Sequence, residues 1–128
     1  MATYTGRRQE DTEVWRVEVV TYQSGTGVTR RPLRHIPCHS PTGFSWGYGG
    51  SGPADLALAM LVDFLRERPP AKGWQDPRFD RWTVRSTAWK LHQAFKWHFV
   101  ATFEDDWELD DTQIAAWLTE QEGRWQAR

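Results

Sequence analysis

Between Gly47 and Gly52 the chain reads Gly-Tyr-Gly-Gly-Ser-Gly, and Pro53 opens the most apolar run in the sequence, Leu56 to Val62. Glycines ahead of a helix leave its first backbone N–H groups uncovered, and the helix dipole makes that end attractive to an anion. Their spacing satisfies the dinucleotide fingerprint, G-x-G-x-x-G. A Rossmann fold does not follow, because the chain lacks room for two mononucleotide halves and the segment after the glycines leads to Pro69-Pro70 instead of a strand. A P-loop is excluded as well, since no lysine follows the glycines. What remains is an anion site at a helix start, set against a tight glycine entry to a buried helix. Phe44, Trp46 and Tyr48 alternate just before it, so on an extended segment all three share one face. That suits a base stacked on a ring with its phosphates at the helix start, although core filling claims at least one of the three.

Other reactive side chains form no recognised pattern. His35-x-x-Cys38-His39 offers three metal ligands where a structural zinc site needs a fourth, so no metal site is assigned. Ser51 and Cys38 lack the spacing of a catalytic triad or a nucleophile elbow, and no catalytic residue is assigned either. The acidic run Glu104-Asp105-Asp106 with Glu108, Asp110 and Asp111 reads as a solvated helix entrance with several possible caps. Arg81 and Arg85 are the candidate charges for a phosphate, with Arg30, Arg31, Arg34 and Arg78 as further basic groups; solvent exposure or pairing with Asp76 and Asp80 explains them equally well.

These residues need elements to position them. Val14 to Tyr22 is rich in β-branched and aromatic types and predicts a strand, with a turn over Gln23 to Gly27 and a return strand at Val28 to Leu33. His35 to Gly52 is broken by prolines and glycines and predicts a long ordered loop, or one holding a short strand at Phe44 to Trp46; a loop this long in so small a domain points to function. A helix should begin at Pro53, capped by Ser51 or Gly52, with Asp55 in its first turn, and end at Arg66 to Pro70. A second helix should run from Thr83 to His98 on the spacing of Val84, Ala88, Leu91, Phe95 and Phe99. Phe99 to Phe103 can extend it or form a short strand, and the strand is preferred. Asp110 or Asp111 should cap a last helix through Glu122, whose apolar face is Ile114, Trp117 and Leu118. The order predicts one α+β domain over 1–128: a short antiparallel sheet on a buried central helix, with two further helices.

At 128 residues the chain can bury a single core. Its 17 acids and 16 basic residues leave a net charge of −1, which gives no global drive toward nucleic acid. The charge is uneven, since Glu104 to Arg128 carries eight acids against two arginines. One cysteine, no apolar run long enough for a bilayer and no signal-peptide core at the N-terminus predict a cytoplasmic protein without a membrane span. Nine tryptophans exceed what one small core hides, so some should lie at a binding surface.

The string F-x-WGYGGSGPADLALAML, with Tyr4-Thr5-Gly6-Arg7 near the start and Ile114-Ala115-Ala116-Trp117 in the last helix, resembles a family of short phage and bacterial proteins. The resemblance implies a shared fold and frequent phage origin, and no assigned activity. Small phage proteins of this kind often counter host defences, some as sponges that hold a nucleotide immune signal without cutting it. The expected function is therefore sequestration of a nucleotide-like anion, with no cofactor and no turnover. Phe44, Trp46 and Tyr48 would stack, Gly49, Gly50, Ser51 and Gly52 would contact phosphate, and Arg81 or Arg85 would supply charge. A site formed between subunits would make the protein a homo-oligomer. The competing expectation is a protein-binding inhibitor of a host nucleic-acid defence enzyme, using exposed tryptophans and the acidic tail.

Overall fold

The computed structural model describes residues 2–8, 15–23, 25, 27–40, 43–67 and 87–126. They form β1 (Ala2–Arg8), β2 (Trp15–Gln23), β3 (Gly27–Pro32), α1 (Ser51–Leu65), α2 (Thr87–His98), β4 (Asp106–Asp110) and α3 (Asp111–Gln126), with a 3-10 turn at Val100–Thr102 before β4. The sheet is antiparallel, in the order β3-β2-β1-β4, and with three helices it makes the expected α+β arrangement.

Alternation along the strands decides which face meets the core. Tyr4 and Gly6 of β1, Val17 and Val19 of β2, and Trp107 and Leu109 of β4 are buried on one side. Gly6 is required at its position by a close approach: a Cβ there would stand 2.1 Å from Nε1 of the Trp107 indole. Against this face lies α1, buried from Gly52 to Val62 and packed on α2. Its C-terminal part is tied to the sheet by Asp63, which accepts a hydrogen bond from the Tyr4 hydroxyl at 2.6 Å and pairs with Arg31 at 2.8 Å. Burial, reinforced by the Asp63 carboxylate, pushes the Tyr4 hydroxyl well above the usual tyrosine range.

The predicted hairpin is present, with Gly25 at φ +102° in its turn, and both flanking strands lie within a residue of their expected bounds. Two strands were not expected. β1 has one large apolar residue, Tyr4, because Trp107 supplies the apolar cover over Gly6. β4 is the acidic run read as a helix entrance; its acids alternate with Trp107 and Leu109, so they line the opposite face of a strand. Phe99 to Phe103 is neither helix extension nor strand, but contains the 3-10 turn, whose Val100 carbonyl accepts the Gly47 N–H at 3.0 Å. Helix α1 starts at Ser51 with Gly50 as its cap, a residue or two earlier than expected. The helix expected from Thr83 is described from Thr87, and residues 83–86 lie outside the described residues. Among the described residues, no helix is long and apolar enough to cross a membrane.

Candidate functional site

Three helix starts can be compared, and each must satisfy its first N–H groups. For α2, the Glu67 carboxylate arrives from just beyond α1 and accepts the N–H groups of Thr87 at 3.1 Å and Ala88 at 3.0 Å. For α3, Asp110 accepts the N–H of Gln113 at 2.9 Å and the Thr112 hydroxyl, which together hold its carboxyl below the usual range. Asp110 was one of the two expected caps. At α1 the cap is Gly50, with no side-chain hydrogen bond, and Ser51 beside it is exposed.

Side chains gather around this uncapped end. A Cβ on Gly49 would meet the Trp97 ring at 2.0 Å, one on Gly50 the Tyr48 ring at 2.4 Å, and one on Gly52 the Ser45 hydroxyl at 1.9 Å. The glycines thus admit the chain's own side chains at close range. Both rings that stand on them remain more than half exposed, Tyr48 at 52% and Trp97 at 61%. Lys96 runs beneath, donates to the Gly49 carbonyl at 3.4 Å and holds its ammonium 4.5 Å from the Trp97 ring centre.

Behind the loop is a cluster of buried polar groups. Asp55 is fully buried and accepts three hydrogen bonds: His35 Nε2–H at 2.8 Å, the His39 N–H at 2.7 Å and the Ser40 N–H at 2.9 Å. It was expected to serve the helix dipole; it clamps the loop instead. The Trp89 carbonyl can only accept, so His92 Nδ1–H donates to it, and His92 Nε2 accepts from His39 Nε2–H at 3.0 Å. Burial pushes His92 down to about 4 and lowers His39 as well, with the Lys96 charge acting in the same direction. Cys38 is pushed up to about 12 by burial and then by Asp55, so its thiol stays protonated. Among the described residues, no three His, Cys, Asp or Glu side chains gather as metal ligands.

The expected site residues therefore divide. Tyr48, Gly49, Gly50, Ser51 and Gly52 meet at the α1 start. Trp46 does not: it is core, in edge contact with Trp15 and Trp107. Gly47, at φ +85°, breaks the extended alternation that was to place Trp46 and Tyr48 on one face. Phe44 packs on His35, with ring centres 4.9 Å apart. Arg81 and Arg85 lie outside the described residues. Lys96 and Trp97 were missed; the signal available was the His92–Lys96 pair, four apart beside the apolar stripe of Leu91 and Phe95.

The chain belongs to DUF6166, a family of unknown function, whose profile matches residues 4–120. No curated protein and no solved structure matches the chain.

Proposed function

We propose that this DUF6166 chain binds a nucleotide-like anion at the start of α1 and acts by holding it, without turnover. The observation that carries the reading is the uncapped helix start, beside which stand the Lys96 ammonium and the exposed rings of Tyr48 and Trp97. The N–H of the exposed Ser51 and an ammonium suit a phosphate, and the rings offer stacking to a base. Holding is favoured over cleavage because three nearby groups are committed: the Cys38 thiol is buried and protonated, and the Ser45 and Tyr48 hydroxyls bond each other at 2.8 Å, leaving the exposed Ser51 hydroxyl as a phosphate contact. The phage origin that the WGYGGSGP resemblance implies would give such a binder an anti-defence role in the host cytoplasm, as a sponge for a nucleotide immune signal.

Thermal shift against cyclic nucleotides and ADP-ribose, followed by recovery of the ligand from heated complex, tests this. Binding with intact ligand recovered is expected. Lys96→Met and Trp97→Ala should each weaken it about tenfold, the scale of one lost charged or stacking contact. No shift across the panel at micromolar protein would overturn it. The same exposed rings would then serve as anchors for a protein partner, the inhibitor reading, in which Trp97→Ala weakens binding and Lys96→Met leaves it unchanged.

A further inference from the structure

On the sheet face turned away from the helices, register sets the side chains in rows. Arg16, Arg7 and Asp106 lie side by side across β2, β1 and β4, and Glu18, Thr5 and Glu108 form the next row. Two residues along a strand separate the rows by about 6.7 Å. A concave space of about 840 Å³ overlies them. That is the size of a small-molecule site, commonly about 300–1,000 Å³.

Arg7 and Arg16 are direct cross-strand partners, an arrangement that costs stability because like charges face each other. Both are exposed, and neither forms an ion pair with any described residue, although Asp106 is the partner of Arg7 on its other side. The Arg–Asp ion pairs among the described residues are elsewhere: Arg8 with Asp105, and Arg31 with Asp63. Two adjacent guanidiniums present planar donors that match the oxygens of one phosphate. The row of Glu18 and Glu108 limits what can be attached to that phosphate. Carboxylates repel a second phosphate but accept hydrogen bonds from hydroxyls, and a sugar places hydroxyls about one such row from its phosphate.

We propose that the open sheet face binds a phosphorylated sugar, with the phosphate between Arg7 and Arg16 and the hydroxyls on Glu18 and Glu108. This second site goes beyond the helix-start reading and does not rest on it. Titration calorimetry on the full chain, with ribose 5-phosphate, inorganic phosphate, ribose and a short single-stranded oligothymidylate as probes, tests it. Ribose 5-phosphate should bind, inorganic phosphate about tenfold more weakly, and ribose not detectably. Arg16→Gln should weaken both phosphate ligands about tenfold, as the loss of one charge-assisted contact requires. Glu108→Gln should weaken ribose 5-phosphate and spare inorganic phosphate. Arg7→Gln repeats the test if Arg16→Gln fails to fold by circular dichroism. The proposal is overturned if ribose 5-phosphate does not bind at millimolar concentration, or binds undiminished to folded Arg16→Gln or Arg7→Gln. Loss in Lys96→Met with retention in Arg16→Gln would also overturn it and move the ligand to the helix start. Tighter binding of the oligonucleotide, falling steeply with salt, would replace it with a nucleic-acid surface.

Discussion

The Asp55 carboxylate, fully buried, receives three hydrogen bonds, whereas the Arg7 guanidinium, exposed on the sheet, faces Arg16 and pairs with no described acid. Cost explains the contrast. Inside, a charge without partners loses its solvation, so the loop 35–40 is folded around Asp55 to replace it. Outside, water screens the opposed arginines, and the sheet tolerates a conflict worth a fraction of a kcal/mol. Buried polar groups here report what the fold needs, and unresolved surface charges report where something else is expected to bind. Four substitutions break or sharpen that difference.

Asp55→Ala should have the largest effect. It strands the N–H groups of His39 and Ser40 and the donor of His35, and removing one member of a buried charged network costs about 3–5 kcal/mol. Chemical denaturation should show this loss, or no folded protein. A loss under about 1 kcal/mol would mean that water replaces the carboxylate and that the loop is not clamped.

Next comes the response to acid. His92 releases its proton near pH 4 in the folded chain, against 6.5 for a free imidazole. The fold prefers the neutral ring, so the unfolded chain binds the proton first as pH falls. The contribution is fully present above about pH 6.5 and is lost down to about pH 4, amounting to about 3 kcal/mol. Lowered His39 adds in the same sense. Denaturation midpoints measured from pH 7 to 4 should fall, and His92→Gln should flatten the slope in that window. An unchanged slope would mean that the histidine pair stays solvated.

Gly6→Ala belongs in the middle of the scale, since its Cβ must displace the Trp107 ring from a packed core at a cost of about 2 kcal/mol. Tryptophan fluorescence should shift with it. This position also shows where sequence reasoning stopped. Helix α1, the hairpin and the Ile114-Trp117-Leu118 face were legible from local signals: an apolar run opened by Pro53, β-branched residues around a glycine turn, and apolar residues at helical spacing. β1 was not, because the ring that covers Gly6 is contributed from Trp107, far along the chain. β4 was legible in principle, as Asp106-Trp107-Glu108-Leu109-Asp110 alternates, but acidity outweighed the period. The glycines and Tyr48 meet at the α1 start, as their order along the chain suggests, while Trp46 was misplaced because Gly47 reverses the backbone between them. Lys96 and Trp97 depend on how α2 packs against the loop, which no local pattern encodes.

The smallest effect is the most informative about the outer face. Arg16→Thr removes the like-charge pair with Arg7 and places a good strand former on an exposed position, so stability should rise by about 0.5 kcal/mol. Added salt should stabilise the parent more than the variant, because screening already relieves what the substitution removes. If Arg16 were fixed by the fold, the variant would instead lose stability, as every interior change above does. A gain in stability together with a loss of affinity for ribose 5-phosphate would show that the opposed arginines are held for a ligand and not for the sheet.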